Sequence, residues 1–223
     1  MRVLSRQSFQ DMPWANGGGR TCELFRLPHP DRRDAFALRL SIAEVAEGGP
    51  FSHFAGVDRL LGLLEGEGME LSLADGRRLT LDAPGQVVAF TGEIGIQCRL
   101  LGGPLRDCNL MLARDWGRGD LERLSPADGE TARLEAADLV LLYLQRGEWS
   151  RDGEDLPSGS LLLLENEAPA CARRAARSRG WPPRAAFRRD AAAGMKKPDA
   201  RPARFWPRNV TARARSTARR RAP

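Results

Sequence analysis

Between Phe36 and Leu164 the chain alternates short apolar runs with Gly-rich or charged breaks. The pattern predicts strands over Phe36–Val45, Arg59–Leu64, Met69–Leu73, Arg78–Leu81, Gln86–Phe90, Ile96–Leu101 and Asn109–Ala113, then over Thr131–Glu135, Leu139–Leu144 and Ser160–Leu164. Between them lie turn signals such as EGEG (65–68), ADGR (74–77), GGP (102–104) and RDGE (151–154). A DG dipeptide between short apolar runs favours a hairpin, because its residues accept positive φ. The apolar positions nowhere recur with a convincing helical period, and only Asp120–Leu124 offers a short helical turn. Many short strands without amphipathic helices predict an all-β chain, an antiparallel barrel or sandwich.

The order of elements repeats. Leu60–Glu93 runs as apolar strand, Gly/Glu turn, strand, DG turn, Pro/Gly turn, apolar strand and acidic end, and Leu139–Glu167 follows the same order in shorter form. A duplicated hairpin unit implies a duplicated barrel. The units are then 1–115, a shorter 116–169, and a remainder, 170–223.

Composition separates that remainder from the rest. From Ala170 to Pro223 there are 15 Arg and 2 Lys against 2 Asp, a net of +15, with no Leu, Ile or Glu. Residues 1–169 carry a net of −9, so the overall +6 belongs to the last segment. Ala/Arg/Pro text lacks the apolar surface to offset ordering entropy, which predicts a disordered basic tail. The second repeat also ends without the further strand that a closed barrel needs. That loss, with the abrupt change in composition, is expected of a GC-rich gene read in a shifted frame. The tail's charge and its aromatic residues suit nucleic acid on paper, but with an acidic body this is the lesser expectation.

Other classes drop away. Met1–Pro13 is polar and holds no secretory-type apolar stretch, and the longest clean apolar run, Leu139–Leu144, is too short to span a bilayer. Cys22, Cys98, Cys108 and Cys171 have neither zinc nor disulfide spacing, so free thiols in the cytoplasm are expected. With two histidines, His29 and His53, a three-His metal site cannot be assembled. No cofactor, no metal and no catalytic residue are therefore expected.

Four segments carry candidate chemistry. In PWANGGG (13–19), Asn16 and the run Gly17, Gly18, Gly19 suit either a tight turn with Trp14 in the core or a loop lining a ligand. Arg39 and Ser41 alternate with Leu38, Leu40 and Ile42 and so share one strand face. If that face lines an interior, Arg39 needs a carboxylate partner or an anionic ligand. FSHFAGVDR (51–59) interleaves Phe51, Ser52 and Phe54 with Asp58 and Arg59. DCNLM (107–111) sets Asp107, Asn109 and Met111 on one face, with Cys108 and Leu110 on the other.

Taken in order, PWANGGG, LRLSIAEVAEGGPFSHFAGVDRLLGLLEGEGMEL and LGGPLRDCNLM resemble the HutD/Ves family of bacterial cupin-like proteins, over about Val3–Glu167. The resemblance implies a duplicated double-stranded β-helix, a bicupin. It also implies a link to histidine utilisation, with a small pathway metabolite sensed or bound and no step catalysed. Matched to the family, Trp14, Asn16, Gly17, Gly18, Arg39, Ser41, Ser52, Phe54, Asp58, Arg59, Asp107, Asn109 and Met111 become the expected ligand-binding residues. Ala15 stands where the family usually has a basic residue, Leu38 where it often has Trp, and Cys108 where an aromatic is common. The expected ligand is a small carboxylate, urocanate or a formylglutamate-like compound, with Arg39 on the carboxylate. A homodimer is expected and a membrane is not. A cupin isomerase or hydrolase, and a nucleic-acid-binding regulator acting through the tail, are the alternatives. Bound metal favours the first, and salt-sensitive DNA binding lost on truncation favours the second.

Overall fold

The computed structural model describes residues 1–127, 129–133, 137–167, 170–173 and 209–216. Apart from one 3-10 turn, Arg6–Ser8, its regular elements are strands, gathered into four sheets. The fold is all-β and cupin-like.

Period-two patterning accounts for the layers. The first inner sheet has six strands, in the order Gln10–Pro13, Gly19–Pro28, Phe36–Val45, Leu105–Ala113, Val57–Glu65 and Val87–Thr91. Its central strands are buried on both faces, which is why they read as nearly continuous apolar runs. One face presents Leu38, Leu40, Ile42, Leu64, Cys108, Leu110 and Leu112 to Leu139, Leu141, Tyr143, Leu161 and Leu163 of a second inner sheet. The opposite face presents Ala43, Val45, Leu61 and Leu63 to Met69, Leu71, Leu73, Ile96 and Cys98. Those residues belong to the first outer sheet, ordered Gly49–Pro50, Ile96–Leu100, Met69–Leu73, Arg78–Leu81.

The second inner sheet runs Arg2–Leu4, Leu161–Glu167, Ala137–Tyr143, Asn209–Ser216, Gly117–Leu124. Its far face, with Val140, Leu142, Leu144, Leu162 and Leu164, packs on Trp149, Leu156 and Cys171. These come from the second outer sheet, Thr131–Arg133, Ala170–Arg173, Trp149–Arg151, Glu154–Leu156. The layers therefore stack outer, inner, inner, outer. Gln145 Nε2 and Arg146 Nη2 tie the halves together, donating to Glu65 Oε1 at 2.9 and 2.7 Å.

Three expectations change. The helical turn at Asp120–Leu124 is strand, because Gly117–Leu124 pairs along its length with Asn209–Ser216. The disordered tail is corrected for two stretches: Ala170–Arg173 pairs with Thr131–Arg133, and Asn209–Ser216 lies between Gly117–Leu124 and Ala137–Tyr143. Neighbouring strands with unpaired backbone groups supply the ordering energy that the composition of those stretches lacks. The strand read as missing is thus present, and the argument for a shifted frame loses that support. The rest of the tail, 174–208 and 217–223, lies outside the described residues. Sheet membership also crosses the expected division, because Arg2–Leu4, from the first unit, pairs with Leu161–Leu163 of the second. Among the described residues no helix is long and apolar enough to cross a membrane.

Candidate functional site

A cavity of about 410 Å³ opens between the first inner sheet and its outer partner. Its floor is the face of the inner sheet on which the strand alternation gathers polar side chains. Across the three central strands Arg39, Met111 and Arg59 form one row and Ser41, Asn109 and Leu61 the next. Ala43, Asp107 and Leu63 form the third.

Two irregularities shape this floor. Register slips between Glu23 and Phe25 opposite Ser41–Leu40, and between Arg106 and Asp107 opposite Glu65–Leu63. A bulge re-aims the residues beside it. Here the first bulge adjoins Glu23 and the second adjoins Asp107, the two buried acids of this face.

The two arginines differ in their partners. Arg39 Nε donates to Glu23 Oε2 at 2.5 Å, with both side chains nearly buried. Of the two alternatives left by the sequence, the internal carboxylate is the one present. Arg59 is 5% exposed and has no carboxylate partner among the described residues. Its guanidinium carbon lies 4.9 Å from the Phe51 ring centroid, 5.2 Å from Phe90 and 5.6 Å from Phe54. Nη1 donates to Ser52 O at 3.3 Å, and Nε is buried without a partner. The ring faces offset part of the cost of holding a cation out of water. Burial still pulls the group down to about 10, against the opposing field of Asp107 and with a smaller push from Arg39, so it remains charged at neutral pH.

Asp107 is 3% exposed. Burial pushes its carboxyl up to about 7, and Arg59 only partly counters the rise. Asp107 Oδ1 and Asn109 Oδ1 are both buried without a hydrogen-bond partner. Natural folds rarely leave such atoms unmet without a reason.

The Gly-rich segment forms one wall. Trp14 N–H donates to Gly19 O, Gly17 N–H to Trp14 O, and Gly18 N–H to Asn16 Oδ1. Gly17 sits at φ +74°, and a Cβ on Gly19 would come within 2.4 Å of Glu44 O and 3.0 Å of the Trp14 ring. That close approach turns Trp14 into the cavity, where its Nε1 donates to Thr21 Oγ1 at 2.9 Å. Tight turn and cavity wall are both true of this segment.

A smaller hollow of about 120 Å³ lies beside Cys22 and Tyr143. Its arginines are already matched: Arg6 with Asp11, Arg20 with Glu44, and Arg106 with Glu65. The larger cavity, by contrast, holds Arg59, a buried cation with no carboxylate in contact among the described residues.

A sequence model of the HutD family matches residues 6–180. The chain belongs to the HutD family. It is 41% identical to an uncharacterised 21.2 kDa protein in the hutC 3′ region of Pseudomonas putida, over 64% of this chain and 73% of that one. Among solved structures it is 26% identical to HutD from Pseudomonas fluorescens SBW25, crystallised in a formate condition, covering 97% and 99% of the two chains with a TM-score of 0.68. It is 27% identical to a conserved protein of unknown function from Pseudomonas aeruginosa PAO1, covering 96% and 98%, with a TM-score of 0.70.

In this HutD-family chain the cavity is lined by Trp14, Asn16, Arg39, Ser41, Ser52, Phe54, Arg59, Asp107, Asn109 and Met111, ten of the thirteen expected residues. Three stand apart. Gly17 and Gly18 shape the turn behind the wall. Asp58 points to the other face of its strand and pairs with Arg114 at 2.9 Å, as alternation from the inward Arg59 requires. Sequence reasoning missed Glu23, Phe90 and Met69. Ala15, the position where the family usually carries a basic residue, also lines the cavity. The other two departures, Leu38 and Cys108, fall on the opposite face and pack against the second half.

The donor set suits a cupin metal poorly. Among the described residues no three His, Cys, Asp or Glu side chains converge. His53 is exposed and outside the cavity lining, and buried His29 accepts from Asp31 N–H and contacts Asp115 at 3.2 Å. All four cysteines are free, and burial pushes the Cys98 thiol, in the cavity wall, up to about 11.

Proposed function

We propose that the cavity binds a small organic carboxylate and that the protein acts as a metabolite-binding regulator of histidine utilisation, not as an enzyme. The observation that carries this reading is Arg59: a buried, caged cation at a cavity wall that, among the described residues, touches no carboxylate and feels only the field of one, Asp107, itself held up at about 7 by burial. A carboxylate docked on it gains charge-assisted hydrogen bonds in a site already partly dry. Asn16, Ser41 and Asn109 supply polar contacts, and Trp14 and Phe54 the apolar walls. Arg39, held by Glu23, contributes field and shape more than direct contact.

The pathway assignment is supported by the hutC neighbourhood of the Pseudomonas putida relative and the HutD name of the Pseudomonas fluorescens one. Urocanate and N-formylglutamate are the first ligands to try. Isothermal titration of the full chain should give heat with at least one of them. Arg59→Met should weaken that binding by about 10- to 150-fold, from about 1.5–3 kcal/mol per charge-assisted contact. No heat from either at millimolar concentration refutes the proposal, as does unaltered binding by the variant.

A further inference from the structure

The cavity floor carries more than a cation. Asp107 and Asn109 are two residues apart on Leu105–Ala113 and share the cavity face, and each has a buried carbonyl-type oxygen without a donor. Both are acceptors, and they sit side by side. Arg59 stands opposite Met111, four residues along the strand from Asp107. Along the strands the cation, which offers N–H groups, is set off from the two oxygens that lack them, while Arg59 and Asp107 still feel each other's charge.

We propose that Asp107, seconded by Asn109, determines which carboxylates the cavity accepts, by taking a hydrogen bond from an N–H group on the ligand at the end remote from its carboxylate. The inference rests on the carboxylate-binding reading above. A plain carboxylate satisfies Arg59 and leaves Asp107 and Asn109 unmet, whereas an anion with a ring or amide N–H satisfies both ends. A site built to pair a ligand N–H rejects the analogue lacking it more strongly than an apolar pocket rejects a change of size. A hydrogen bond to an ionised acceptor is stronger than one to a neutral acceptor. Of the groups facing Asp107, Arg59 from the neighbouring strand is cationic and favours that ionised form once a donor arrives, and the Cys98 thiol adds no opposing charge because burial keeps it protonated.

Two isosteric probes separate this from simple anion binding: 3-(pyrrol-2-yl)acrylate, with a ring N–H, and 3-(furan-2-yl)acrylate, with oxygen in its place. Titrated into the full chain, the pyrrole should bind at least tenfold more tightly than the furan. Asp107→Asn keeps an acceptor but loses its charge, and should shrink the ratio to a few-fold. Asp107→Leu should bring it to about one; if that variant does not fold, Asp107→Asn decides. Equal affinity of the two probes for the native protein, as expected where water satisfies the two oxygens, overturns the inference and leaves the carboxylate reading standing. An undiminished ratio in the folded variants overturns it as well. Failure of both probes to bind at millimolar concentration overturns the carboxylate reading, and this inference with it.

Discussion

Replacing Asp107 with Asn should stabilise the empty protein at pH 8 and change it little at pH 4. In the unfolded chain this carboxyl titrates near 3.8, whereas in the fold burial holds it up at about 7. Between those values the folded state keeps a proton that the unfolded state has released. Stability contributed by the neutral acid is then complete below about pH 4 and is lost as pH rises towards 7. The full loss is about 4 kcal/mol, at about 1.4 kcal/mol per pH unit, and about 2–3 kcal/mol of it falls between pH 5 and pH 8. Other carboxylates titrate too, Glu93 among them, lowered by Arg114 and by the Gly56 N–H. Their contributions cancel in the difference between native protein and variant. The groups around Asp107 stay out of the window, since Arg59 titrates near 10 and Cys98 near 11. Urea unfolding at pH 5, 6.5 and 8 measures that difference. The variant's advantage should grow by about 2–3 kcal/mol from pH 5 to pH 8, several degrees in Tm for a chain of this size. An advantage that does not vary with pH refutes the assignment of a neutral, strongly buried Asp107.

Further tests follow from individual contacts. Glu23→Gln leaves Arg39 buried without its counter-charge and should cost about 3–5 kcal/mol in urea unfolding; an unchanged midpoint means that Arg39 is solvated. Gly19→Ala puts a Cβ against the Glu44 carbonyl and the Trp14 ring, and should cost about 1–3 kcal/mol while weakening ligand binding through displaced Trp14. Ending the chain after Arg208 removes the strand between Gly117–Leu124 and Ala137–Tyr143. The product should aggregate or lose cooperative unfolding, and a soluble monomer with native Tm contradicts the described sheet order.

Strand patterning was legible wherever alternation is unbroken. Phe36–Val45, Met69–Leu73 and Arg78–Leu81 occur at the bounds read from the sequence. Period two also assigned Arg39 and Ser41, and Asp107, Asn109 and Met111, to shared faces. It could not say which face is hollow, because both faces of the inner sheet are buried. Bulges defeated it further: Glu23 sits in TCELF, where the slip before Phe25 breaks the count. The arginine cage was half legible. Phe51 and Phe54 stand beside Arg59 in sequence, but Phe90 reaches it only through the pairing of Val87–Thr91 with Val57–Glu65. Asn209–Ser216 was hidden for another reason. Its residues are chosen neither for apolar content nor for turns, and its place is set by two neighbouring strands far away in the chain.

The two faces of the inner sheet divide the labour between folding and binding. Leu38, Leu40, Cys108, Leu110 and Leu112 fill the dry side, each of the leucines burying about 1.5–3 kcal/mol of transfer energy. The same sheet carries Arg39, Ser41, Arg59, Asp107 and Asn109 on the cavity side, where the empty protein is destabilised by the buried Arg59 cation, which touches no carboxylate among the described residues, and by acceptors without donors. A ligand that meets those groups stabilises the fold by the free energy of its binding. The pH dependence of that stabilisation identifies which groups it meets. An anion that touches only Arg59 should raise Tm no more at pH 8 than at pH 5, since Arg59 is charged at both and Asp107 gains a repelling charge between them. A ligand that also gives an N–H to Asp107 should raise Tm more at pH 8. There the carboxylate is already ionised, whereas at pH 5 part of the binding energy must first remove its proton. Equal shifts at the two pH values for an N–H-bearing anion place its donor elsewhere than on Asp107.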